Sequence, residues 1–398
     1  MALNYELSLP RRVVFGWGRC TEIGRLAREL GRNAVCVYGS RTLERSGITA
    51  SLEKSLRESG VTIVDTLRIS NEPTVLDVDD AVRQLRSPGK VESLVLLAIG
   101  GGAALDLAKA VAGMTPQPQF ETVRDYLEGV GQGLTLEANP LPILAMPTTA
   151  GTGSEATKNA VIASYDPPFK KSLRDDRLIP EIVLLDPELT VSCPAKITAE
   201  SGMDAITQLF ESYVSRSGGS RNAGPFIQVL CEQGLTEAWQ SLAEAVNNPT
   251  SQVAREKMMH AAFLSGICLA NAGLGMAHGI SPALGSICRV SHGAACALLL
   301  PWTLRTNAEI CRTEYARLAR LILVTEKRNA TDEVLVERLI EEVENLCRTV
   351  GVVQKLADFG VTSDQIPEIA AQSFGSSMRN NPRTLTQEEL VEILRNSS

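Results

Sequence analysis

Between residues 94 and 102 the chain reads LVLLAIGGG, and this stretch restricts the fold more than any other. A near-continuous apolar run of this length is expected as a strand buried on both faces, which is the condition of a parallel sheet. Parallel neighbours cannot be joined by tight hairpins, so helical crossovers must lie between them. The sequence supplies them. A short strand at 12–15 is turned by Gly16 and Gly18, and a helical pattern at 20–30 is stopped by Gly31. Then come a strand at 34–38, a helix after Thr49, a strand at 61–67, a helix at 75–85 and the strand at 94–99. This alternation implies a doubly wound, Rossmann-like α/β domain. The last clear strand is EIVLLD, 181–186. Beyond Pro187 and Pro194 the pattern turns helical, with periodic segments at 198–215, 223–247, 251–271, 291–316, 332–349 and 386–396. The expected organisation is an α/β dinucleotide-binding domain over 1–187, followed by an all-helical domain over 188–398.

A chain of 398 residues with 44% hydrophobic and 21% charged content builds a sizeable core. Its net charge of −7 argues against a nucleic-acid surface. The first residues lack the basic start and apolar stretch of a signal peptide, and no run of roughly 18 apolar residues suggests a bilayer span. Nine scattered cysteines without CxxC spacing read as reduced thiols in a cytoplasmic protein.

Two loops at strand ends suit a nucleotide. Gly100, Gly101 and Gly102, followed by Ala103, open a helix where bare backbone lets a phosphate approach the N-terminal N–H groups. Asp106 is expected in the first turn, where a negative charge is favoured, with Lys109 one turn further. In the second loop Thr148, Thr149, Thr152 and Ser154 offer hydroxyls between Gly151 and Gly153. Tight turns without ligand are the alternative for each loop; two together favour a crevice. After the strand at 34–38, an acid would hold a ribose 2′-hydroxyl and an arginine would accept a 2′-phosphate. Here Ser40 is followed by Arg41, which tilts the coenzyme towards NADP(H); the alternative is a surface turn with a solvated arginine.

Two of the three histidines, His278 and His292, stand among small residues in GLGMAHGISPALGSICRVSHG. Imidazole is a common ligand for first-row metals. Asp204 and Gln208 occupy i and i+4 on one helical face. With the two histidines they make an O₂N₂ set suited to Fe²⁺, Zn²⁺, Mn²⁺ or Co²⁺. Hydrogen-bonded core histidines and a merely polar glutamine are the alternative. His260 reads as a packed helix residue, and Cys296, four residues past His292, is the cysteine to watch.

Taken together, these residues resemble the iron-containing (group III, metal-dependent) alcohol dehydrogenases, which share a fold with glycerol dehydrogenase and dehydroquinate synthase. GGGAALDLAK at 100–109 is similar to that family's GGGSxxDxAK, and PTTAGTGSE at 147–155 is its signature unchanged. Gly202-Met203-Asp204-Ala205, the His278/His292 pair and Asn381-Pro382-Arg383 resemble its remaining motifs. The resemblance implies dinucleotide contacts from Gly100 to Asp106 and from Thr148 to Thr152, with Asn159 and Lys170 near the nicotinamide ribose. It also implies Asp204, His278 and His292 as metal ligands carrying the chemistry, Fe²⁺ or Zn²⁺ as the metal, and a cytoplasmic homodimer joined through N-terminal strands.

Four positions depart from the family pattern. Gln208 stands where a metal-ligating histidine is usual, Pro282 where a proton-relay histidine is usual, Ala103 in place of serine, and Ser40 in place of the acid that selects NAD. The expected activity is hydride transfer between NAD(P)(H) and an alcohol/aldehyde or ketone pair, on a small-molecule substrate that the sequence does not specify. With no relay at 282, the proton is expected to travel through ribose hydroxyls and ordered water. The weighed alternatives are a metal-free maleylacetate reductase-like enzyme, a dehydroquinate synthase-like lyase and an inactive binding protein. The surviving Asp-His-His set argues against the first. The intact 147–155 loop and the missing basic cluster for a phosphorylated substrate argue against the second.

Overall fold

The structure is a computed structural model, and it describes residues 5–86, 93–217, 220–323, 330–352 and 355–396. It divides into an α/β unit, residues 8–149 and 153–193, and a helical unit that takes residues 5–7, 150–152 and 194 onward.

In the α/β unit the elements run β1 (Arg12–Phe15), α1 (Ile23–Leu30), β2 (Asn33–Tyr38), α2 (Thr42–Arg45), α3 (Ile48–Glu58), β3 (Thr62–Arg68), α4 (Val75–Leu85), β4 (Leu94–Gly100), α5 (Gly102–Met114), β5 (Ile143–Pro147), β6 (Asn159–Tyr165), β7 (Pro168–Arg174) and β8 (Ile182–Leu185). Six strands form one parallel sheet in the order β1-β8-β5-β4-β2-β3. Both faces are covered, as the uninterrupted apolar runs require. Leu96 and Ala98 join Val35, Val37 and Ala145 in a core shared with α4 and α5. Val95, Leu97 and Ile99 point the other way, into a core with α1 and α3. α4 starts on a capping box between Thr74 and Asp77. β6 and β7 form a separate antiparallel hairpin that the sequence reading did not anticipate.

In the helical unit, α6 (Ala195–Val214), α7 (Pro225–Asn247), α8 (Gln252–Ala272), α9 (Met276–Cys288), α10 (His292–Asn307), α11 (Arg312–Ile322) and α12 (Asp332–Thr349) are followed by α13 (Ile366–Gln372), α14 (Ser376–Arg379) and α15 (Gln387–Asn396). The expected segment 291–316 is two helices, broken between Asn307 and Arg312. The unit is also not purely helical: β9 (Arg216–Ser217) and β10 (Ser220–Arg221) make a small antiparallel ribbon. Gly202 sets the approach of α6 to α7, because a Cβ there would stand 2.3 Å from Leu242 Cδ1. α9 runs through Pro282, and with α10, α13 and α15 it closes the core around Ile280, Leu284, Leu298, Ile369 and Leu390.

Among the described residues no single helix is long and apolar enough to cross a membrane. α8 and α9 pass that test only as a pair, bent by 102°.

Candidate active site

The expected nucleotide residues gather at the C-terminal ends of three adjacent parallel strands, where doubly wound sheets take ligands. Ser40 follows β2, Gly100 ends β4 with Gly101 to Ala103 directly after it, and Thr148 and Thr149 follow β5. The glycines are there because backbones meet: a Cβ on Gly100 would stand 2.9 Å from the Gly39 amide nitrogen. The Thr148 N–H donates to the Gly100 carbonyl at 3.0 Å, and Thr149 packs where Gly101 lacks a side chain. Ser40 and Thr42 hydroxyls lie 3.0 Å apart.

Asp106 is a turn further into α5 than expected, because the helix begins at Gly102. It accepts a hydrogen bond from Ser154 Oγ at 2.6 Å and faces Lys109 Nζ at 3.5 Å. Burial raises its pKa, against the opposing pull of Lys109. The buried Lys109 ammonium donates to the Ser154 carbonyl at 2.9 Å, to Thr157 Oγ1 at 3.0 Å and to the Asn159 carbonyl. Asp106 and Lys109 therefore tie the second loop and the start of β6 to α5. Asn159 lies four residues along β6 from Ala163, the register partner of Lys170, so the two fall on one face of the hairpin. Lys170 pairs with Glu72. Thr152 groups with the helical unit, where its carbonyl accepts from Gln208 Nε2 at 3.3 Å.

The second constellation lies wholly within the helical unit. His278 sits in the first turn of α9, His292 opens α10, and Asp204 is in mid-α6. Asp204 Oδ1 is 3.2 Å from His278 Nε2 and 3.6 Å from His292 Nε2, and the rings meet edge-on with centroids 5.3 Å apart. Cys296 Sγ is 3.5 Å from His278 Nε2 and 3.8 Å from His292 Nε2. One donor atom from each of Asp204, His278, His292 and Cys296 lies within 4.8 Å of the others, a grouping able to hold a metal ion.

Each imidazole is oriented from behind. The His278 Nδ1–H donates to Glu211 Oε2 at 2.6 Å, while Glu211 Oε1 accepts the Ala277 N–H at 2.6 Å. His292 Nδ1 is 3.0 Å from Ser281 Oγ. Both Nε2 atoms thus face the centre, the arrangement in which outer partners aim histidine ligands. Burial works against charge on Asp204, but the two imidazoles outweigh it and lower its pKa. Burial also opposes a proton on His278, yet the Cys296 sulfur and the Glu211 and Asp204 groups raise its pKa well above the usual. Desolvation pushes the Cys296 thiol up to about 11. Two buried carboxylates beside two imidazoles form a cage whose negative charge a divalent cation would balance.

Gln208 does sit one turn after Asp204, fully buried, but both ends of its amide have partners. Its Oε1 accepts from Ser265 Oγ at 2.6 Å, and its nitrogen reaches Thr152. His260 is away from this cluster and bonds Glu237 Oε2 at 2.6 Å. Asn381 explains the C-terminal motif physically. It exchanges two 2.9 Å amide bonds with Asn307, accepts the Met276 N–H at 3.2 Å and donates to the Arg383 carbonyl at 2.8 Å, pinning the start of α9. Sequence reasoning missed Glu211 and Ser281. A signal existed for Glu211: with Asp204 and Gln208 it completes an i, i+4, i+7 polar stripe on an otherwise buried helix.

Comparison with known proteins agrees with this architecture. Residues 10–187 match the family model described as iron-containing alcohol dehydrogenase, and residues 198–398 match the Fe-containing alcohol dehydrogenase family, C-terminal. The chain is 32% identical to the probable alcohol dehydrogenase EutG of Escherichia coli over 97% of this chain and 93% of that one. It is 28% identical to the NAD-dependent methanol dehydrogenase of Bacillus methanolicus, covering 98% of each. The solved alcohol dehydrogenase from Oenococcus oeni superposes with a TM-score of 0.90 at 29% identity, covering 99% of this chain and all of that one. With both halves matched and the alignment running nearly end to end, the chain belongs to the iron-containing alcohol dehydrogenase family.

Proposed function

We infer that the protein is a metal-dependent oxidoreductase that interconverts an alcohol and its aldehyde or ketone, with NAD(P)(H) as hydride carrier. The observation that carries this is the convergence of Asp204, His278 and His292 donor atoms, backed by Glu211 and Ser281. When bound, a divalent metal there supplies Lewis acidity towards the substrate oxygen. Glu211 holds His278 in the tautomer whose Nε2 lone pair faces inward, and Asp204 supplies the anionic oxygen. Glu211 and Asp204 are each about 2% exposed or less, so water is kept from competing for these contacts. No ionisable side chain stands at 282, so a proton relay does not pass through that position.

The remaining assignments are part of the same reading. Gly100 to Ala103, Asp106, Thr148, Thr149 and Thr152 serve the dinucleotide, with Asn159 and Lys170 towards its nicotinamide end. The coenzyme is NADP(H), supported by Ser40 and Arg41 where an acid would favour NAD. The enzyme is a cytoplasmic homodimer. The nine cysteines are scattered without CxxC spacing, as in a protein of a reducing compartment, and β1 is an edge strand with Val13 exposed.

The test is metal analysis of the purified protein together with turnover of NADH and NADPH against a panel of aldehydes. His278→Ala and His292→Ala are expected to lose the metal and at least ~100-fold in kcat/KM, about 2.7 kcal/mol of transition-state stabilisation. Undiminished turnover in a metal-stripped double variant would overturn the reading.

A further inference from the structure

We propose that Cys296 is the fourth ligand of the metal centre, replacing the donor lost where Gln208 stands, and that it makes this a zinc centre rather than an iron one. The inference rests on the reading of Asp204, His278 and His292 as metal ligands. Bonds of roughly 2.0–2.1 Å to nitrogen and oxygen and roughly 2.3 Å to sulfur give tetrahedral edges of about 3.3 Å between N and O donors and about 3.6 Å between N and S donors. The structure places Asp204 Oδ1 at 3.2 and 3.6 Å from the two Nε2 atoms, and Cys296 Sγ at 3.5 and 3.8 Å from the same atoms. These four measured edges fit one tetrahedron with sulfur at a corner.

Two facts single out Cys296. It is one helical turn past His292 on α10, so the i, i+4 spacing carries its sulfur to the side of that ring facing the centre. Gln208, in contrast, has its amide oxygen bonded to Ser265 and its nitrogen to Thr152. On sequence alone, exchanging histidine for glutamine shifts the site towards harder ions. A thiolate reverses that, because sulfur favours zinc over iron(II) more than a carboxamide does. Binding is a proton-for-metal exchange: the Cys296 S–H bond breaks, an S–metal bond forms, and the proton leaves to solvent with no change of oxidation state.

The experiment loads the chelator-stripped enzyme with Co²⁺, whose bond to a thiolate gives a sulfur-to-metal charge-transfer absorption in the near ultraviolet. Wild type, Cys296→Ser and Cys296→Ala are compared, with circular dichroism confirming each fold. We expect the band in wild type and its loss in both variants. The variants should also show at least the roughly tenfold drop in zinc affinity that even an outer-shell loss causes, and a smaller zinc-over-iron preference. Cobalt binding to wild type without the band overturns the role of Cys296 but leaves the three-ligand site standing. Failure of wild type to bind cobalt, zinc or iron overturns the metal reading itself. If the variants do not fold, the wild-type spectrum alone decides.

Discussion

At the scale of single residues, the cluster of Asp204, His278, His292 and Cys296 shows what a side chain's identity reveals and what only its neighbours do. Asp204, His278 and His292 stand out in the sequence as candidate ligands because few residue types make good ligands and their motifs are distinctive, and the structure brings their donor atoms together. Glu211 does not stand out, since a buried glutamate on a helix carries no mark until its partner is seen. Its 2.6 Å bond to His278 predicts the outcome of Glu211→Gln. The imidazole loses its anionic anchor, and metal affinity should fall by roughly 10- to 100-fold with little change in fold, as competitive chelator titration would show. Gln208 was grouped with the ligands from its i, i+4 position beside Asp204. Spacing shows that two side chains share a face but not which neighbours they meet, and here Ser265 and Thr152 hold both ends of the amide.

At the scale of elements, most of the α/β unit is legible because the inner parallel strands β2, β4, β5 and β8 are apolar runs. In the β6–β7 hairpin the apolar run of β6 is only four residues long, Ala160 to Ala163, and β7 carries Lys170, Lys171 and Ser172 at half-exposed positions, so neither strand has the longer apolar signature of β4. The break between α10 and α11 escaped because apolar spacing continues across it through Leu304 and Ala316. What secures the start of α9 is the Asn307–Asn381 pair. Asn381→Ala strands the Met276 N–H and the Asn307 amide in the core, and each orphaned group costs about 1–3 kcal/mol. Urea denaturation should show a loss of that order, and metal affinity should fall with it, because His278 lies two residues beyond Met276.

At the scale of the whole molecule, stability should carry the mark of Glu155. Burial pushes its pKa up from 4.5 to about 7, with only partial relief from Lys109. The folded protein therefore keeps a proton that the unfolded chain releases. This contribution is full below pH 4.5, declines as pH rises towards 7, and is level above that. The drop is on the order of 3 kcal/mol. In Glu155→Gln that decline should be absent from unfolding free energies measured between those limits; an unchanged slope would assign it to other groups. The division of the chain carries a further consequence. Residues 5–7 belong with the helical unit, and Tyr5 packs on Gly224, which a Cβ would bring to 3.4 Å. On the ribosome Tyr5 emerges long before Gly224 is translated, so this leading stretch has to wait, unpartnered, while the sheet behind it assembles.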